Sequence, residues 1–301
     1  MDYDNRITAV GCPASHEPAS RLGLAGLLQI AAPGWRIDGV AVLPGGTSAK
    51  IWRVHLLDAQ GARSSVVVRL PSERTLLAGQ DRVWMEVAAL RAVQAAGVPV
   101  PRVLAADLTG RLLGQPALAL EYLCGATGLE VRDPVDAAKQ LARSLASIHT
   151  VTIAAVLAAP WPAGLIGPQS TAAPCPHVLL HGDFWPGNTI WRDDQLVGVI
   201  DWEDAAIGHP LADVANARLE ITWFWGRPAA EEFTAEYVRS ARRSVADLAA
   251  WDVATAQHKA SQIDRWGLAP AQVTAMRAEL AAFVARARSA ASPATGPGRL
   301  A

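Results

Sequence analysis

Eight residues, His181-Gly182-Asp183-Phe184-Trp185-Pro186-Gly187-Asn188, restrict this chain more than any other stretch. Pro186 has no amide hydrogen and Gly187 weakens helix, so no helix runs from Asp183 to Asn188 and both side chains come from one irregular loop. Leu196-Val197-Gly198-Val199-Ile200 then reads as a short buried strand that ends at Asp201. Asp201 stands 18 residues after Asp183, a separation that a hairpin folds back alongside the loop. Two carboxylates and an amide are thus delivered to one place. Three oxygen-bearing side chains of this kind suit Mg²⁺, a hard cation that takes carboxylate, carbonyl and phosphate oxygens.

Upstream, the pattern is mostly strand. Residues 40–43, the turn Pro44-Gly45-Gly46-Thr47-Ser48 and residues 51–57 read as a hairpin with Trp52, Val54 and Leu56 on one face. Residues 65–70 form a further strand, with Val66, Val68 and Leu70 on one face and Val67 and Arg69 on the other. Asp81 caps a helix that Gly97 ends, and its apolar stripe of Val83, Val87, Leu90 and Val93 also contains Glu86. A carboxylate on a core-facing stripe needs a partner, because an unpaired buried charge is expensive. Arg69 is the nearest candidate by topology.

Residues 97–101 are a stiff connector, and residues 117–123 read as a strand leading to Cys124-Gly125, a hinge between two lobes. Beyond it the pattern turns helical. Asp133-Pro134 opens a helix carried by Val135, Ala138, Leu141, Leu145 and Ile148 to His149, and further helices are expected at residues 211–224, 229–244, 246–266 and 269–290. The chain therefore reads as α+β, with a small β-rich N-lobe over residues 20–124, a larger mainly helical C-lobe over 125–291, and a frayed tail over 292–301.

Composition narrows the function. With 27 Lys+Arg against 28 Asp+Glu the net charge is −1, so the basic footprint that nucleic acid selects is missing. Residues 144–182 carry no Asp, Glu, Lys or Arg, but prolines interrupt the stretch and no membrane span is expected there. The acidic start, Met1-Asp2-Tyr3-Asp4, is the wrong charge for an export signal, and three widely spaced cysteines form neither a disulfide framework nor a zinc pattern. The expectation is a cytoplasmic protein with no nucleic-acid or membrane partner and an oligomeric state the sequence leaves open.

The loop, together with Ile200-Asp201-Trp202-Glu203-Asp204 and its continuation through His209-Pro210-Leu211-Ala212-Asp213, resembles the aminoglycoside phosphotransferase and choline kinase family of small-molecule kinases. The resemblance covers residues 35–290 and implies a bilobal protein-kinase-like fold. It implies an ATP- or GTP-dependent transfer of the γ-phosphate to a small-molecule hydroxyl, with Asp183 as base, His181 bracing the loop, and Asn188 and Asp201 holding Mg²⁺ on the nucleotide phosphates. Asp213 matches a helix-borne aspartate that hydrogen-bonds the loop backbone. In the N-lobe, Gly45, Gly46, Thr47 and Ser48 match the nucleotide-covering turn, and Glu121 to Leu123 the linker that bonds the nucleotide base. Arg69 stands where protein kinases have a phosphate-pairing lysine, with Glu86 as its partner; a guanidinium bridges phosphate and carboxylate through a planar fork, but is bulkier than an ammonium.

Other readings stay open on sequence alone. Trp185, Glu203 and Asp204 stand where they touch either substrate or metal, or else form core and solvated loop. A nucleotide-binding pseudokinase is kept alive by Arg69. A metal-dependent phosphoester hydrolase would use His181, Asp183, Asp201 and Asp204, but gives no role to Arg69 or Glu86. The acceptor is open among aminoglycoside, macrolide, amino alcohol and other metabolites. Residues 184–301 hold 14 acids and 12 Lys+Arg, a balance that does not favour a polycation.

Overall fold

The computed structural model describes residues 21–43, 50–77, 79, 81–152 and 177–291. The turn at Gly45, Gly46, Thr47 and Ser48, and the tail after residue 291, lie outside the described residues. The chain divides into two compact units, one comprising the described residues up to Arg91 with Pro101–Leu123, the other Ala92–Val100 with the described residues from Cys124 onward.

The first unit is built on a five-stranded antiparallel sheet. Its strands are β1 (Arg36–Val42), β2 (Lys50–Leu57), β3 (Arg63–Leu70), β4 (Val103–Asp107) and β5 (Ala117–Glu121), in the order β1-β2-β3-β5-β4. The period-two pattern places Trp52, Val54 and Leu56 of β2 beside Val66, Val68 and Leu70 of β3 on one buried face. That face packs against Leu24, Leu27 and Leu28 of α1 (Arg21–Ala31), a helix the sequence analysis does not place. A Cβ on Gly23 would lie 1.9 Å from the Leu112 carbonyl oxygen, so close packing overrides helix propensity. β4 also escaped the sequence reading. The short α2 (Glu73–Leu77) and then α3 (Asp81–Ala95) follow β3, and Gly97 comes just past the end of α3 in a left-handed conformation.

The second unit carries, among its described residues, five long helices: α4 (Pro134–Ile148), α5 (Leu211–Trp225), α6 (Arg227–Ala241), α7 (Leu248–Ala260) and α8 (Pro270–Ala291). Asp133 caps α4, accepting hydrogen bonds from the backbone N–H of Val135 and Asp136 at 3.0 Å. Ala138, Leu141, Leu145 and Ile148 are buried as expected, but Val135 is exposed; in this first turn Ala137 faces the core instead. α6 stops earlier than residue 244 because Arg242 turns left-handed, and the helix expected over residues 246–266 divides into α7 and a short 3₁₀ turn, Ile263–Arg265. Leu219, Ala256, Ile263, Leu280 and Phe283 join α5, α7 and α8 in a common core.

Two small sheets interrupt the helices. β7 (Val178–Leu180) pairs with β10 (Ala206–Gly208), and β6 (Ala126–Thr127), β8 (Thr189–Arg192) and β9 (Gln195–Val199) form a three-stranded sheet centred on β8. The irregular loop leaves β7 and enters β8.

Candidate active site

β7 ends at Leu180, opposite Ala206, so the loop starts beside the segment that follows Asp201. Gly182 has φ +87°, and a Cβ there would lie 2.1 Å from the Asp204 carbonyl oxygen; only glycine fits. His181 is fully buried under Trp202, with ring centroids 4.6 Å apart. Its Nε2 donates to the Ile200 carbonyl at 2.9 Å, and its Nδ1 accepts the Asp183 backbone N–H at 3.3 Å. Those partners assign the ring proton to Nε2. Burial holds the His181 pKa below its ordinary value in spite of the nearby Asp213 and Asp183 carboxylates. A neutral imidazole thus ties the loop to the strand end that precedes Asp201.

One face of α5 organises the loop from below. Asp213 Oδ2 accepts the His181 backbone N–H at 2.8 Å and Oδ1 accepts that of Gly182 at 3.0 Å. His149, buried, bonds the same Asp213 through Nε2 at 3.3 Å and the Tyr237 hydroxyl through Nδ1 at 2.7 Å. One turn along, Asn216 Nδ2 donates to the Phe184 carbonyl at 3.2 Å and reaches Asp183 Oδ1 at 3.5 Å. Both the loop backbone and the Asp183 carboxylate are therefore held by a rigid helix.

Pro186–Asn188 forms a 3₁₀ turn. Asn188 Nδ2 donates to the Asp183 carbonyl at 2.9 Å and to Asp183 Oδ2 at 3.1 Å. Both partners are acceptors, which fixes the amide's orientation and leaves Asn188 Oδ1 for another ligand. The β8–β9 register sets Thr189 opposite Val199, and the Ile200 N–H donates to the Asn188 carbonyl at 2.9 Å. The hairpin thereby brings Asp201 to the loop. Asp201 is exposed and left-handed at φ +63°, a conformation that non-glycine residues adopt at a cost of ~1–3 kcal/mol and that concentrates at functional sites. The donors fit a hard cation: one amide oxygen and one carboxylate, both oxygen ligands.

Neighbouring candidates divide. Glu203 is buried, contrary to a solvated-loop reading, while Asp204 is half-buried. Trp185 packs 5.4 Å from Phe224, whereas Trp202 and Trp191 belong to the core. Among the described residues no group of three or more His, Cys, Asp or Glu side chains is disposed to hold a metal, and both His181 ring nitrogens are engaged by backbone groups, of Ile200 and of Asp183. The metal-hydrolase arrangement of His181, Asp183, Asp201 and Asp204 therefore does not form.

The site contains two charged residues that sequence reading missed. Lys259 of α7 places Nζ 2.7 Å from Glu220 Oε1 and 3.6 Å from Asp183 Oδ1. Burial would lower the Lys259 pKa, but the Glu220 and Asp183 carboxylates outweigh it and hold it above its ordinary value; burial raises that of Glu220. The signal for Glu220 was present, since Asp213, Asn216 and Glu220 recur at i, i+3 and i+7 along a largely apolar helix whose other polar residues are Arg218 and Thr222. Lys259, 76 residues beyond Asp183, gave none.

In the first unit, Arg69 points off β3 and its Nη1 contacts Glu86 Oε2 of α3 at 2.5 Å, both side chains buried. The partner inferred from topology is the one observed. Glu121 holds Arg102: its carboxylate accepts Arg102 Nε at 3.0 Å and its backbone N–H donates to the Arg102 carbonyl at 2.9 Å. Leu123 lies past the end of β5, and the intervening Tyr122 is clamped under the Arg53 guanidinium, 3.9 Å from the ring centroid.

Residues 39–165 and 152–256 match the phosphotransferase enzyme family. The chain belongs to that family. Aminoglycoside 2'-phosphotransferase-IIIa, solved as a GDP complex, superposes with a TM-score of 0.58 at 16% identity, covering 88% of this chain and 98% of the other. Macrolide 2'-phosphotransferase from Brachybacterium faecium gives a TM-score of 0.55 at 19% identity, covering 91% and 98%. The shared fold is the kinase-like one of these enzymes. In sequence the family member is similar to mouse acyl-CoA dehydrogenase family member 10, at 25% identity over 213 residues, 58% of this chain and 20% of that protein. The chain spans between 6% and 20% of the curated relatives it matches. No described helix is long and apolar enough to cross a membrane.

Proposed function

We propose that this family member is a small-molecule kinase that transfers the γ-phosphoryl group of ATP or GTP to a hydroxyl of an antibiotic or metabolite. The observation that carries the reading is the loop itself: a half-exposed Asp183 carboxylate is gripped by Asn188 and Asn216, and the Ile200 N–H bond to the Asn188 carbonyl draws the segment that ends in Asp201 to the same loop. Asp183 accepts the proton of the acceptor hydroxyl as that oxygen attacks the γ-phosphorus, while the bridging oxygen leaves with the nucleoside diphosphate. Mg²⁺, held by Asn188 Oδ1 and Asp201, would neutralise charge on the nucleotide phosphates. His181 and Asp213 fix the loop backbone, so the carboxylate does not have to be ordered when the acceptor binds.

In this reading residues 20–124 form the nucleotide-binding lobe and residues 125–291 the catalytic one. Arg69, braced by Glu86, pairs with phosphate oxygens; the turn at Gly45, Gly46, Thr47 and Ser48 covers them; and Leu123 bonds the base with its backbone, the N–H of Glu121 being engaged already. Trp185, Glu203 and Asp204 border the acceptor. The GDP held by the solved relative supports the nucleotide assignment. A reducing cytoplasm that supplies nucleoside triphosphate is the matching compartment.

The test is an ADP- and GDP-release screen with Mg-ATP and Mg-GTP against aminoglycosides, macrolides, amino alcohols and hydroxy acids. Acceptor-dependent release, abolished in Asp183→Asn while that variant still binds nucleotide, is the expected result. Unchanged turnover in Asp183→Asn would remove Asp183 as base, and nucleotide binding with no release in the presence of any acceptor would favour a pseudokinase.

A further inference from the structure

The chain holds only three lysines among 27 basic residues, and one of them, Lys259, touches the carboxylate assigned as the base. Its side chain is 14% exposed, and Glu220, which anchors it, is 7% exposed. An ammonium carries three N–H donors. Glu220 Oε1 engages one at 2.7 Å and Asp183 Oδ1 faces a second at 3.6 Å. Among the described residues no acceptor engages the third; the nearby Trp266 ring, 5.7 Å from Nζ, offers only a π-face. Asp183 and Glu220 keep the amine protonated despite its burial.

A buried lysine–glutamate pair is weak evidence of a stability device, because desolvation offsets most of the attraction. Its location gives it a different use. On the reading that Asp183 is the base, the acceptor oxygen sits about 2.6–3.2 Å from its carboxylate and the phosphorus about 3–3.5 Å beyond. A cation 3.6 Å from the same carboxylate stands beside the oxygens that change charge in the transfer. An ammonium fixed in advance stabilises such charge without reorganising.

We infer that Lys259, held in place by Glu220, is an anion-contacting residue of the active site whose ammonium hydrogen-bonds an anionic oxygen next to the attacked hydroxyl. Two sources share that chemistry: an equatorial oxygen of the phosphoryl group in transfer, and a carboxylate or phosphate carried by an acidic acceptor. The inference rests on the kinase reading. In either case a polycationic acceptor meets a fixed positive charge beside the base.

The experiment compares the wild-type protein with the Lys259→Met/Glu220→Gln double variant, which removes both charges and leaves no buried carboxylate alone, and with Lys259→Arg. ADP or GDP release is measured with water, neutral polyols and hydroxy acids as acceptors, together with Mg-nucleotide affinity and melting temperature. The double variant is expected to melt and bind nucleotide like wild type while turnover falls about 100-fold, with partial recovery in Lys259→Arg. A fall in kcat with every acceptor, water included, assigns the oxygen to the phosphoryl group. A rise in KM confined to hydroxy acids assigns it to the acceptor; both outcomes uphold the proposal. Wild-type turnover by the folded double variant with every acceptor would overturn it, as would losses that merely follow a lowered melting temperature. If the wild-type protein neither binds nor turns over nucleotide, the kinase reading falls and this inference with it.

Discussion

Asp213→Asn tests the core of the site with the smallest change of shape. The wild-type carboxylate accepts three buried donors: the backbone N–H groups of His181 and Gly182 at 2.8 and 3.0 Å, and His149 Nε2 at 3.3 Å. An amide in the same place offers one oxygen and one NH₂. Turned one way it keeps the His181 and His149 bonds and sets a donor against the Gly182 N–H; turned the other way it loses the first two. The first is the less costly. It removes one charge-assisted bond, about 1.5–3 kcal/mol, and leaves neutral bonds about half as strong in place of the other two. A net loss of about 3–6 kcal/mol follows. Trp202, its ring tilted against that of His181, makes tryptophan fluorescence a reporter of the loop in a urea titration. Turnover should fall about 100-fold even where the protein stays folded, since an ångström-scale displacement of Asp183 suffices. A stability change below about 1 kcal/mol with normal turnover would refute the claim that Asp213 anchors the loop.

Arg69→Met should destabilise the protein by about 3–5 kcal/mol, because Glu86 is left buried without its guanidinium, and should weaken nucleotide binding; urea unfolding and nucleotide titration check both, and unchanged values in the two assays would sink the assignment. The depressed His181 pKa carries a pH signature. The unfolded chain takes up a proton near pH ~6.5 that the folded protein refuses, so this contribution is present above pH ~6.5 and falls by at most about 1.4 kcal/mol per unit as pH drops below it. Asp252 opposes it, since burial, only partly countered by Arg218, pushes its pKa up to about 6 and makes the folded state the better proton acceptor between that value and the ordinary 3.8. The difference between wild type and His181→Gln isolates the histidine: the variant should lose less stability between pH 7 and 5.5, and parallel curves would contradict the buried neutral ring.

Local chemistry makes much of this site legible in the chain itself. A proline and a glycine inside eight residues rule out α-helix between Asp183 and Asn188, where only the 3₁₀ turn Pro186–Asn188 forms, and apolar spacing marks the strand that returns Asp201. Period two sets Arg69 off the sheet, and period 3.6 puts Glu86 inside a buried stripe, so their pairing follows from the cost of an unpaired charge. Helix ends are less legible. α7 stops at Ala260 and α6 at Ala241, where no proline or glycine follows directly to mark the end.

Tertiary structure alone decides the rest. Propensity argues against helix at Gly23, yet α1 forms there because Leu24, Leu27 and Leu28 bury against the sheet, and the glycine is what lets the helix approach the Leu112 carbonyl. The hydrogen bonds from Asn188 Nδ2 settle which amide atom remains for a ligand, a matter of orientation that no spacing encodes. Lys259 is the plainest case. Nothing in its own neighbourhood distinguishes it from a solvated lysine at the end of a helix, and it acquires a role only when packing of α7 against α5 carries it to Glu220 and Asp183. A sequence declares the residues whose local conformation is restricted; a charge that works through partners far along the chain becomes visible only when folding removes the water between them.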